Sequence, residues 1–76
     1  MKIDLHGYQI HVAWQHFNRV IEEAYYDGER SVVVVTGQGA MMREFPTWCT
    51  NHARIRTFSQ HPNNPGSFSV KLKKRG

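Results

Sequence analysis

The chain has 76 residues, 39% hydrophobic and 12% aromatic, enough for one small core and too few for a second domain, so residues 1–76 are read as a single unit. Ten Lys and Arg against six Asp and Glu give a net charge of +4, and Lys71, Lys73, Lys74 and Arg75 carry all of that excess. The longest aliphatic run, Val32–Val35, is far too short for a membrane span, and no secretory apolar block opens the chain. The single Cys49 excludes an intrachain disulfide and a thiolate-rich zinc site, so a cytoplasmic protein held by packing is expected.

Lys2 to His6 alternates polar with apolar residues and predicts a strand, ended by Gly7, with Asp4 and His6 on the same face about 7 Å apart. From His11 to Asp27, Ala13, Phe17, Val20, Ile21 and Ala24 recur at helical spacing, and Gly28 stands where a helix-terminating glycine belongs. Ser31 to Val35 is a β-branched run of the kind found in strands buried within a sheet, so strand, helix and strand form a βαβ unit.

Thr36-Gly37-Gln38-Gly39 then turns the chain, and Met42, Phe45, Trp48 and Cys49 predict a second, short helix ending near Asn51 or His52. Pro46 lacks an amide hydrogen, so regular helix is expected to start only near Glu44 or Phe45, or to follow a looser opening turn from Met41. Arg54–Ser59 and Ser67–Lys73 predict an antiparallel hairpin joined by the turn-rich stretch from Gln60 to Gly66, with Phe68, Val70 and Leu72 inward and Ser69, Lys71 and Lys73 on the open face. Trp14 and Trp48 are read as core, and Tyr8, in a loop, is the aromatic best placed to stack on a base. The expected architecture is an α/β (α+β two-layer) fold, β-α-β-α-β-β, with a four-stranded mixed sheet carrying both helices on one face.

Two segments leave the carboxyl ends of neighbouring parallel strands, Asp4-Leu5-His6-Gly7-Tyr8 and Thr36-Gly37-Gln38-Gly39, and ligands of open α/β sheets bind at that edge. Glycines 37 and 39 allow close approach of backbone to a phosphate, and the following helix start offers free N–H groups, although a short T-G-x-G turn also serves as a plain connection. A His beside an Asp at a strand end can act as an oriented general acid or base, can share a divalent ion such as Mg²⁺ or Mn²⁺, or can simply be a surface pair. His11, His16, His52 and His61 show no metal-binding spacing. The basic tail suits a polyanion and equally suits a solvated terminus.

The ordered motifs Ile3-Asp4-Leu5-His6-Gly7-Tyr8, Val34-Val35-Thr36-Gly37-Gln38-Gly39, Arg43-Glu44-Phe45-Pro46-Thr47-Trp48 and the stretch from Gly66 to Arg75 together resemble the small MutS-related (Smr) domain family over nearly the whole chain. The resemblance implies a fold like the C-terminal domain of bacterial translation initiation factor three and an endonuclease activity that nicks DNA, cleaves RNA, or both. It implies Asp4 and His6 as the catalytic pair. Gly7, Thr36, Gly37, Gln38, Gly39, Arg43 and Gly66 would lie around the phosphate, with Lys71, Lys73 and Arg75 holding the strand. Gln38 stands where the family often carries Lys or Arg, and the glycine-rich turn before the last strand is reduced to Pro65-Gly66-Ser67-Phe68. The competing expectation is a binding module that docks on nucleic acid or a ribosome through the basic C-terminal strand without turnover, and a protein-interaction domain is the third; no small-molecule substrate is expected.

Overall fold

The computed structural model describes residues 1–75, arranged as β1 (Lys2–Asp4), α1 (Ile10–Tyr26), β2 (Ser31–Val35), α2 (Ala40–Thr50), β3 (Ile55–His61) and β4 (Asn64–Leu72). The strands form one mixed sheet in the order β1-β2-β4-β3, with β1 parallel to β2 and the other pairings antiparallel. This is the expected β-α-β-α-β-β order. No helix among the described residues is long and apolar enough to cross a membrane.

Alternation along the strands sorts the two faces of the sheet. Val32 and Val34 of β2 and Phe68, Val70 and Leu72 of β4 are buried beneath the helices, while Ser31, Val33, Val35, Ser69 and Lys71 form the opposite face. The helices close the core with Ala13, Phe17, Ile21 and Ala24 from α1 and Met41, Phe45 and Cys49 from α2. Phe45 is its hub, with ring centroids 5.1 Å from Phe17 and 4.6 Å from Phe68. Helix α1 stops where expected: Gly28 takes φ +81°, and the amide of Glu29 reaches back to the Ala24 carbonyl at 2.9 Å.

Several expectations are corrected. Strand β1 ends at Asp4, because the chain turns at Leu5–Tyr8, with Gly7 at φ +88° and the Tyr8 amide donating to the Leu5 carbonyl at 3.3 Å. Helix α2 runs without interruption from Ala40, with Pro46 inside it. Burial of Met41, Phe45 and Cys49 on one face offsets the backbone bond that proline forfeits, a loss of about 3 kcal/mol in an isolated helix.

The connection expected over Gln60–Gly66 is mostly strand. Only Pro62 and Asn63 turn, and an irregularity between Gln60 and His61 accommodates Pro65 and Gly66, with Gln60 Nε2 donating to the Pro65 carbonyl at 2.6 Å. Trp14 is exposed beside His11 and does not join the core, whereas Trp48 packs against it half-buried.

Two outcomes follow from this packing. Phe45→Ala should cost about 3–5 kcal/mol of unfolding free energy in urea denaturation, since three rings lose a shared partner. Burial pushes the Cys49 thiol up to about 12, so a thiol reagent at neutral pH should label Cys49 only in denaturant.

Candidate functional site

The site begins with a local competition for hydrogen bonds. Asp4 Oδ1 accepts the His6 backbone amide at 3.0 Å, closing the tight side-chain turn that Asp favours two residues ahead of a donor. The same oxygen lies 2.6 Å from His6 Nδ1. With the carboxylate as acceptor, Nδ1 carries the proton and Nε2 presents its lone pair outward.

The His6 side-chain and backbone hydrogen bonds hold the Asp4 carboxyl below the usual carboxylate range, with smaller help from the charges of His6 and Lys2. Both side chains are exposed, at 67% for His6 and 52% for Asp4. An exposed pair so closely joined is free to meet a ligand.

Three chain segments are stitched together behind it. The Leu5 amide donates to the Val35 carbonyl at 2.7 Å, extending the β1–β2 ladder into the turn. The Gly66 carbonyl accepts the amides of Thr36 at 2.7 Å and Gly37 at 3.1 Å, and the Thr36 hydroxyl is shared between the Gly66 and Gly37 carbonyls. Gly37 sits at φ +75°, where a Cβ would lie 3.2 Å from that of His6, and a Cβ on Gly66 would lie 2.8 Å from the Gly37 carbonyl carbon.

The two loops therefore converge as the sequence predicts. Together they line an open cleft of about 380 Å³ with His6, Gly7, Tyr8, Gln38 and Gly39 on its walls and Ile10, Ala40 and Met41 beneath. Gly39 is the N-cap of α2 and no side chain caps that end, so the first N–H groups of the helix remain available for an anion. Ile10, Ala40 and Met41 were not marked by any motif; only their places at two helix starts could have signalled them.

The other predicted residues are placed differently. Thr36, though buried, contributes to the cleft lining, whereas Gly66 is buried behind it and belongs to β4 itself. Arg43 is exposed on α2 and does not line the cleft. Lys71 pairs with Ser31, at the far end of β2 from the Asp4–Val35 pairing, and Lys73 and Arg75 lie farther along. Arg75 is docked on the C-terminus of α1, donating to the Tyr26 carbonyl.

The donor set does not fit a resident Mg²⁺ or Mn²⁺. Among the described residues no carboxylate lines the cleft, Asp4 beside it has its Oδ1 engaged twice by His6, and no group of three His, Cys, Asp or Glu converges. The remaining histidines do not help. His52 is structural, accepting the Arg54 amide at Nδ1 and packing edge-on against Phe17, with burial holding its pKa down. His16 is bonded to Arg19 on the surface of α1.

A protein-family model described as the Smr domain matches residues 3–72. Among solved structures, the Smr domain of MutS2 from Thermus thermophilus superposes with a TM-score of 0.88 at 21% identity, covering 95% of this chain and 96% of that one. YdaL, a stand-alone small MutS-related protein from Escherichia coli, gives 0.87 at 18% identity, over 96% of this chain and 64% of that one. The SMR domain of NEDD4-binding protein 2 gives 0.76 at 26% identity, over 99% and 88%. A search of curated protein sequences gives no match.

Gly66→Ala should lose about 1–3 kcal/mol of stability, because the clash is with backbone that has nowhere to go. Titration of Asp4 followed by its carboxyl NMR shift should give a midpoint below that of an unfolded peptide. The pair's contribution to stability is then present above the unfolded carboxyl pKa and disappears as pH falls through the lower folded value.

Proposed function

Because this chain belongs to the Smr domain family, we propose that it is an endonuclease acting on nucleic acid, with RNA as the substrate its own side chains can cleave. The single observation that carries this reading is the Asp4–His6 pair, whose outward Nε2 stands on the wall of a cleft that ends in an uncapped helix N-terminus.

Cleavage of a phosphodiester requires a base for the nucleophile, stabilisation of the phosphoryl oxygens and a proton for the leaving oxygen. RNA carries its nucleophile with it as the 2′-hydroxyl. His6 Nε2 takes that proton, the 2′-oxygen attacks phosphorus, and the bond to the 5′-oxygen breaks, leaving a 2′,3′-cyclic phosphate. The 5′-oxygen takes its proton from solvent in the open cleft.

Asp4, as acceptor from Nδ1, orients the ring and leaves Nε2 to take the proton. Negative charge growing on the phosphoryl oxygens meets the N–H groups and positive dipole end of α2. Gln38, beside them, offers an amide where a cation would bind phosphate more strongly.

A second reading, a nucleic-acid or ribosome-binding module without turnover, draws on the separation of Lys71 and Lys73 from the cleft. The two readings part on variants. His6→Ala should lower the cleavage rate by about 10²–10⁴-fold while binding changes little, and Asp4→Ala should act in the same direction. Structured RNA should be cut equally well in EDTA and in Mg²⁺. If wild type binds RNA without cutting it, or if folded His6→Ala cuts as fast as wild type, the binding module is the better description.

A further inference from the structure

The charge of this protein is not gathered at its cleft. Of the ten Lys and Arg residues, only Lys2, Arg19 and Arg43 lie away from the opposite end of the sheet. There, Arg30, Arg56, Lys71 and Lys74 surround a hollow of about 240 Å³ with Leu72 between them. A neighbouring hollow of about 170 Å³ shares Arg30 and Lys74 and adds Lys73, with Glu29 as its single acid.

The chain has brought together residues distant in sequence to do this. Arg30 precedes β2, and its carbonyl receives the Leu72 amide at 2.9 Å; Arg56 sits at the irregularity between Ile55 and Thr57. Among the described residues the ion pairs are Asp4–His6 and Arg54–Glu22, so none of the four cations around the larger hollow has an acidic partner. Like charges converging without counterions oppose folding, and a polyanion relieves that repulsion.

Between the two ends lies a passable surface. Along β4 the face away from the helices presents Ser69 and Lys71, with Ser67 buried at its cleft end, flanked by Val33 and Ser31 of β2 and by Ser59 and Thr57 of β3. Between Lys71 at one end and Lys2, which pairs with Val33 at its side, the lane is lined by short side chains. From Ser67, level with Val35 and the end of β1, to Lys71 is four residue steps, about 13 Å, and Lys73 lies about 20 Å away.

We infer that this basic end is a phosphate-backbone grip, which holds single-stranded nucleic acid across the open face of the sheet so that the strand reaches His6 at a fixed remove. The inference rests on the proposed endonuclease reading for what happens at His6, but the grip itself is a separate site on the molecule. It sets a minimum substrate length, since a fragment too short to span the lane occupies one end or the other. Single-strand grooves take about 4–16 nucleotides, and a lane of this length falls at the lower end of that range.

The test is fluorescence anisotropy with labelled single-stranded oligodeoxynucleotides of ~12 and ~4 nucleotides over a series of salt concentrations, so that no cleavage by the 2′-hydroxyl route intervenes. The protein is compared with Arg30→Gln/Arg56→Gln and with His6→Ala. For the longer strand the double variant should reduce the slope of log K against log salt by about 1.4, or 0.7 for each cation removed, while His6→Ala leaves the slope unchanged. In parallel, the double variant should raise KM on a long RNA with little change in kcat, and should not alter cleavage of the short one.

Equal slopes for wild type and the double variant overturn the grip, as does displacement of the oligonucleotide by polyglutamate at equal charge concentration, which marks the end of the sheet as a surface for acidic proteins. If the slope changes as expected but no RNA is cut, the grip stands and the endonuclease reading fails.

Discussion

The fold depends on one contact in which backbone meets backbone closer than a side chain permits. Gly66 lies so near Gly37 that a methyl group on it would overlap the Gly37 carbonyl carbon, and Gly37 in turn rests against the Cβ of His6. Three segments distant in sequence are thus pressed into a stack. The Gly66 carbonyl, accepting from Thr36 and Gly37, holds it closed with bonds that would otherwise be missing at the end of the β2–β4 ladder. The position of His6 is a consequence of the hairpin as much as of its own strand.

Against that fixed backing, the Asp4–His6 pair needs little else. One carboxylate oxygen terminates β1, turns the chain and selects the imidazole tautomer. A general base on an exposed surface is worth little if its ring swings freely, because positioning supplies much of its advantage. Here the ring is tethered at Nδ1 to a residue itself held by pairing with Val35. The arrangement achieves orientation without burial, and the ring stays open to a ligand as large as the nucleic-acid strand of the proposed reading.

Much of this was legible in the residues, and where it was not the cause is physical. The β-branched run of β2 and the periodicity of α1 were unambiguous because local preference and tertiary burial agree there. Asp4, His6 and the Gly37–Gly39 turn were placed at one edge from strand order alone, and the structure puts them there. Pro46 misled because its local cost is visible in sequence and the core packing that offsets it is not. Pro65 and Gly66 read as turn formers, yet an irregular strand uses both, and nothing short of the pairing register reveals it. Trp14 misled through composition: a large aromatic suggests a core, but its position on α1 faces water. The gathering of Arg30 and Arg56 beside Lys71 and Lys74 is a property of tertiary structure, with no trace in spacing along the chain.

Strand β1 is three residues long and lies at the sheet's edge, paired on one side only. Edges of this kind fray first, since few hydrogen bonds separate them from solvent and opening them leaves the interior intact. Asp4 thus sits on a short edge strand, and His6 follows in the turn that leaves it. Loss of the ordered imidazole is then a sub-global event, separate from melting of the core. The order of the Asp4–His6 pair and the foldedness of the core are in this way partly uncoupled, with the edge able to come undone and re-form while Phe45 and its neighbours stay packed.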